Sequence, residues 1–172
     1  MTFQNILSVF DTYSYLTLFI CFILGAITLY SFVYFFFRKE IRLFKNLKRK
    51  IYLLRTGAGD LQTERELFLA NGLFDVYTNV IDLKEGVKLL QTLKSYSVFV
   101  IGYSKGYPFY KEILDHSVPK KIPVIVIAKP GEIIPEHMTI FQKYVYFEMC
   151  NTSARLLTTV FNLSLITPYK KR

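Results

Sequence analysis

The chain is poor in the residues that build covalent frameworks and metal centres. Its 172 residues include two cysteines and two histidines. Cys21 lies inside an apolar run and Cys150 stands alone in the rest, while His116 and His137 lack partners nearby in sequence and read as surface residues. That pattern excludes a disulfide framework and a metal site. Lys and Arg are missing from the first eleven residues. A cleaved signal peptide needs a basic start, a shorter apolar core and small residues at its end; here the run is long and closes on Phe35, Phe36 and Phe37, so it reads as retained. There is no internal repeat and no low-complexity linker, and neither a GxGxxG pattern nor a Walker loop is present.

The absence with the largest consequence is that of charge. Asp11 and Arg38 bracket 26 positions, residues 12–37, without a charged side chain. As a helix rising about 1.5 Å per residue this run spans roughly 39 Å, against a hydrocarbon core of about 30 Å. Backbone groups in lipid find no water, so a lone segment there is helical. Tyr13 and Tyr15 near one end and Tyr30 and Tyr34 near the other match aromatic anchoring at two interfaces. Residues 12–37 therefore read as a transmembrane helix, with 1–11 as a short extracytoplasmic N-terminus. Gly25, Thr28 and Ser31 recur close to one helical face, where small and hydroxylated residues let helices approach, which points to a homo-oligomer.

Immediately after the run the chain turns strongly basic. Arg38, Lys39, Arg42, Lys45, Lys48, Arg49 and Lys50 face one acid, Glu40, and Ile41, Phe44, Leu47 and Ile51 recur among them at helical spacing. Residues 38–50 read as a juxtamembrane helix on anionic headgroups of an inner or plasma membrane. The positive-inside bias puts everything after residue 38 in the cytoplasm. This stretch also accounts for most of the formal charge of +9: it holds seven of the 22 basic residues and one of the 13 acidic ones, leaving a net +3 elsewhere. The excess belongs to a lipid partner rather than to nucleic acid.

Residues 51–168 read as one cytosolic α/β domain, followed by a basic tail at 169–172. Expected strands are Ile51–Leu54, Asp75–Ile81, Ser97–Gly102, Ile122–Ala128 and Val145–Met149. Between them fall helices opened by a Thr63/Glu66 capping box and stopped near Asn71-Gly72, then over Lys84–Lys94, Phe109–Asp115 and Glu136–Lys143. A last helix is capped by Asn151 and stopped by Pro168. Alternating strands and helices joined by short loops predict right-handed crossovers and a five-stranded parallel sheet covered on both faces, a three-layer fold with the flavodoxin-like order 2-1-3-4-5. A ligand crevice then lies at the carboxyl ends of the first and third strands. Its expected lining is the loop Arg55, Thr56, Gly57, Ala58, Gly59, Asp60, with Tyr103, Ser104, Lys105, Gly106 and Lys129. The glycines permit close backbone approach to an anion and Arg55 offers a fork; the same loop also reads as a plain tight turn. In YSKGYPFYKE, Glu112 stands at a helix start among Tyr103, Tyr107, Phe109 and Tyr110, a setting for stacking a nucleobase and steering a ribose, or for a helix-start acid beside exposed tyrosines.

The order of elements over about residues 50–166 resembles both response-regulator receivers and TIR domains. The receiver chemistry does not carry over, because Arg55-Thr56, Gly102-Tyr103, Ala128-Lys129 and Met149-Cys150 stand where that family needs its acidic pair, phosphoacceptor Asp, hydroxyl and Lys. LKEGVKLLQTLKSYSVFVIGYS (Leu83–Ser104) and YPFYKE are similar to TIR segments, although the family's arginine-aspartate-proline-glycine loop is absent before Leu83. The resemblance implies a membrane-anchored effector or sensor of the prokaryotic anti-phage kind, binding a nucleotide or NAD-derived ligand and acting as an oligomer that perturbs the bilayer. It also implies an alternative, an NAD hydrolase with Glu112 as the catalytic group; a non-catalytic membrane scaffold is the third reading. The topology is directly testable: a reporter fused after Arg172 in the full chain should report from the cytoplasm, and an extracytoplasmic signal would reverse the orientation.

Overall fold

A computed structural model describes residues 3–57, 60–83, 88–93 and 97–167. The chain forms two compact units, Met1–Arg42 and Leu43–Arg172. In the first, helix α1 (Phe3–Phe36) contains a stretch, Tyr13–Phe36, that is 24 residues long, has a mean hydropathy of 2.3 and buries nothing against protein. At about 1.5 Å per residue it measures roughly 36 Å, so it is long and apolar enough to cross a membrane. Thr28 Oγ1 donates to the Leu24 carbonyl at 2.8 Å, which satisfies its hydroxyl within the helix, and a β-carbon added at Gly25 would meet no other side chain within 4 Å. Helix α2 (Arg38–Leu47) comes next.

The second unit is built on a parallel sheet. Strand β1 (Lys50–Arg55) is flanked by β4 (Ser97–Gly102) on one side and, on the other, by two short pieces, β2 (Asp75–Val76) and β3 (Ile81–Asp82). Beyond β4 lie β5 (Val124–Ile127) and then β6 (Phe147–Cys150). Every pairing is parallel. All six residues of β4 are buried, as a central strand covered on both faces requires.

Alternate residues of the strands feed two separate cores. Tyr52, Leu54, Phe99, Ile101, Val124 and Val126 point to one face, where α5 (Tyr110–Lys120) packs with Tyr110, Ile113 and Leu114 and α6 (Pro135–Phe141) with Phe141. Helix α4 (Lys88–Thr92) adds Leu90 on that side. Ile51, Leu53, Val98, Val100 and Ile125 point to the other face, covered by Phe68 of α3 (Gln62–Asn71) and by Leu156, Val160 and Leu163 of α7 (Ser153–Ile166).

Several boundaries differ from the sequence reading. The expected strand Asp75–Ile81 is broken: after Tyr77, whose N–H still donates to the Ile51 carbonyl at 2.9 Å and whose ring centre stands 5.1 Å from that of Tyr52, residues 78–79 bend away before pairing resumes at Ile81. The capping box does not form: α3 starts at Gln62, so Thr63 lies within it, and Leu61 precedes the helix without a side-chain cap. Its stop is as expected, with Gly72 at φ 68°, a left-handed conformation costly for other residues. Thr152, rather than Asn151, caps α7 by accepting from Arg155 N–H at 3.3 Å. Helix α5 continues past Asp115 to Lys120, carrying Pro119 in its last turn. Residues 84–87 and 94 of the expected second helix, Pro168 and the tail 169–172 lie outside the described residues.

The clearest correction concerns Arg49. Sequence spacing assigns the whole basic run Arg38–Lys50 to headgroups, yet Arg49 is only 2% exposed. Its guanidinium donates to Thr167 Oγ1 and to the Thr167 carbonyl, both at 2.6 Å, and Nη2 also reaches Asn46 Oδ1 at 3.4 Å. A planar fork suits this paired recognition, and a cation at the carboxyl end of α7 is favoured by the helix dipole. Arg38, Lys39, Lys45 and Lys48 are exposed and Lys50 is half-buried, with its ammonium 5.5 Å from the Tyr77 ring centre; the Arg42 side chain lies outside the described ones. Arg49→Met keeps the length and removes the fork, so it should destabilise the domain by about 2–4 kcal/mol, the loss of two charge-assisted bonds at a buried carbonyl and hydroxyl. Urea unfolding of the full chain in detergent checks this; an unchanged midpoint would show the contact to be dispensable.

Candidate functional site

The loops after β1 and β4 approach each other at the carboxyl end of the sheet. Thr56, buried, donates its hydroxyl to the Gly102 carbonyl and lies 3.3 Å from Tyr110 Oη. Tyr110 Oη in turn accepts from Ser104 N–H at 2.8 Å and donates to the Ser104 carbonyl at 3.0 Å. One phenol on α5 thus fixes both loops. Gly57 is required by the fit, since a β-carbon there would stand 2.6 Å from Ser104 Oγ and 2.7 Å from its Cβ. Gly59 lies outside the described residues.

The aromatic side chains form the floor rather than open stacking faces. Tyr103 stacks on Tyr110 with centroids 5.6 Å apart, its hydroxyl accepting from Ile134 N–H at 3.1 Å and lying 3.0 Å from His137 Nδ1. His137 therefore belongs to this cluster, edge-on to Tyr110 at 4.8 Å, and is no plain surface residue. Tyr107 is buried against Tyr110, with its hydroxyl 3.5 Å from the Leu83 carbonyl. Neither ring of Tyr103 or Tyr107 is free to take a base on its face.

Above this floor opens a cavity of about 490 Å³. Ser104, Lys105 and Lys129 line it together with Asp60, Glu64 and Glu132. The three acids are already engaged: Asp60 Oδ1 accepts from Gln62 N–H at 3.2 Å, Glu64 Oε1 from Ser153 Oγ at 2.9 Å, and Glu132 Oε2 from Lys129 N–H at 2.8 Å. Lys105 and Lys129 are exposed, and among the described residues neither ammonium enters a salt bridge, whereas Arg55 does, to Asp82 at 2.9 Å. A second cavity of about 240 Å³ shares Lys129 and Asn151 with the first and adds Arg155.

Of the residues expected to bind a ligand, Tyr103, Ser104, Lys105 and Lys129 come together on the cavity. Arg55, Thr56, Gly57 and Tyr107 do not line it; Arg55 is turned to Asp82, and the other three pack against residues 102–104 behind it. Glu112 sits exposed in the first turn of α5 and lines neither cavity. Sequence reading missed Glu64, Glu132, Asn151 and Arg155. Asn151 comes directly after β6 and Arg155 lies in the first turn of α7, so extending the crevice rule to that strand and the helix after it would have found them. Among the described residues no cluster of His, Cys, Asp or Glu is arranged for a metal ion. Cys150 is buried, its thiol donating to Thr159 Oγ1 at 3.2 Å, and burial raises its pKa, so it is poorly suited to be a nucleophile.

No family model matches the chain, and neither a curated protein nor a solved structure matches it significantly.

The buried phenols give the floor a pH signature. Burial pushes Tyr107 up to about 12, with Tyr110, Glu112 and Asp82 adding to it. Burial also raises Tyr110 and Tyr144, the hydrogen bond with Thr56 opposing it at Tyr110. A folded-state pKa above the unfolded value of about 10 means that stability is complete below about pH 10 and is lost as pH climbs toward 12. Urea midpoints of the full chain should fall steeply across that window. Tyr107→Phe should fold normally and show a shallower fall; an identical slope would place the alkaline transition elsewhere.

Proposed function

We propose that this chain is a single-pass membrane sensor or effector whose cytoplasmic, flavodoxin-like and TIR-like domain binds an anionic, nucleotide-type small molecule. The observation that carries the reading is the cavity at the carboxyl end of the sheet, where the exposed Lys105 and Lys129 stand without an ion-pair partner among the described residues, beside Asp60, Glu64 and Glu132, each of which accepts one hydrogen bond. A cavity of about 490 Å³ falls in the range of small-ligand sites. Ser104 and Asn151 add polar side chains to its lining. The apolar α1 supplies the anchor, and Gly25, Thr28 and Ser31 supply a face through which helices of several copies associate.

Binding is favoured over turnover by the position of Glu112, which is exposed in the first turn of α5 and lines neither of the two cavities described. The test uses the full chain in nanodiscs with NAD, ADP-ribose and a cyclic dinucleotide as probes. At least one should raise the unfolding free energy by about 2.7 kcal/mol at a hundredfold excess over its Kd. Lys105→Ala combined with Lys129→Ala should weaken that probe at least tenfold, or about 1.4 kcal/mol. Silence from all three probes would overturn the ligand reading, and consumption of NAD that is lost in Glu112→Ala would replace it with the hydrolase.

A further inference from the structure

The end of the domain opposite the cavity has its own character. Parallel strands begin there and the returning helices α3, α5, α6 and α7 finish there. Exposed lysines collect at this base: Lys45 and Lys48 before β1, Lys121 after α5 and Lys143 after α6. The exposed acids nearby are Asp75, at the start of β2, and Glu148, second in β6. Between the lysines stand bulky apolar side chains that the domain leaves uncovered: Val145 is 87% exposed, Ile166 69%, Phe44 65% and Leu73 58%. The helix dipole explains lysines at helix ends. It does not explain why the same surface is studded with aliphatic and aromatic groups.

We infer that this base is a second membrane-binding element, a lysine-rich, apolar surface by which the folded domain itself docks on a bilayer of anionic lipid. Lysines there meet phosphate headgroups while Val145, Ile166, Phe44 and Leu73 enter the interfacial layer, the chemistry of an interfacial amphipathic surface transferred to the end of an α/β fold. Chain length commits the occupant. Leu43, the first residue of the domain unit, stands seven positions beyond Phe36, the last residue of α1. At about 3.5 Å per residue, the start of the domain is held within about 25 Å of the end of a membrane-inserted helix. Arg49 shortens the reach further, because its bonds to Thr167 fix Ile166 beside the point where the chain enters β1. The surface nearest the tether is thus the one with the composition for lipid. Docked by this base, the domain would carry its cavity on the far side, at the opposite ends of the same strands.

This inference rests on α1 being inserted, so the experiment separates the two. The chain contains no tryptophan, which makes a single introduced tryptophan a clean reporter in the full chain reconstituted in vesicles with brominated acyl chains. Phe22→Trp reports the span, Val145→Trp and Ile166→Trp the base, and Pro130→Trp the cavity end. In vesicles containing phosphatidylglycerol, the span and base reporters should be quenched and the base emission blue-shifted, with Pro130→Trp unaffected. Quenching at the base, but not in the span, should fall in pure phosphatidylcholine, and should fall likewise when Lys121→Glu and Lys143→Glu are added. Far-ultraviolet dichroism confirms that each variant is folded. Quenching of Phe22→Trp without any at Val145 or Ile166 would overturn the docking inference alone. A blue shift at the base without bromine quenching would overturn it in favour of a protein-covered surface. Absence of quenching at all four positions would remove the anchor as well.

Discussion

Every pairing in the sheet is parallel, and the rest of the domain depends on that constraint. A parallel neighbour needs a crossover, so each helix runs back against the strands and ends where they begin. Loops that leave the strands then gather at one end and helix termini at the other. Because the chain enters at the amino end of β1, its point of entry and the cavity are separated by the length of a strand. An antiparallel meander of the same composition would have mixed the two.

Each end is held by one buried polar group placed where apolar packing cannot supply direction. At the base, Arg49 binds both oxygens of Thr167, joining the first turn of chain in the domain to the end of its last helix. At the crevice, the phenol of Tyr110 joins the loops after β1 and β4 through Thr56 and Ser104. Both groups would be costly to leave without partners, so each specifies one arrangement more sharply than an aliphatic side chain of equal size. The crevice floor is therefore fixed by its own hydrogen bonds, and a floor of that kind would lower the entropic cost of the binding proposed there.

Much of this architecture was legible because the strands obey simple patterns. Ser97–Gly102 and the VIVI of β5 read as covered strands from their unbroken apolar runs, and burial on both faces is what such runs signify. Signals that depend on one local bond fared worse. Thr63 and Glu66 have capping-box spacing, yet the helix has its N-cap two residues earlier, at Leu61, and Asn151 lost the cap to Thr152, one residue on. Arg49 was illegible for a different reason: nothing in a run of seven cations marks the one that turns inward, since its partner Thr167 is 118 residues away. The aromatic cluster shows the same limit. Tyrosines in a loop near a glycine read as ligand platforms until the packing of Tyr103, Tyr107 and Tyr110 on one another reveals that their faces are spent.

Net charge is a poor summary of such a molecule. Outside the juxtamembrane run the chain is nearly balanced, and a sum of that kind suggests an inert surface. The fold spreads both signs along the strand axis, with Lys121 and Lys143 near Asp75 and Glu148 at the base, and Asp60, Glu64, Glu132 and Glu136 with Lys105 and Lys129 toward the other end. Two ends with different local fields can address different partners, even when their total is close to zero, because screening limits each field to about 8 Å at physiological salt. That distance is shorter than the roughly 20 Å of a six-residue strand. A lipid surface at the base and an anion in the crevice, both as proposed, would act on each other only weakly through charge, so coupling between them would pass through packed elements that reach both ends, β1 and α5 first among them.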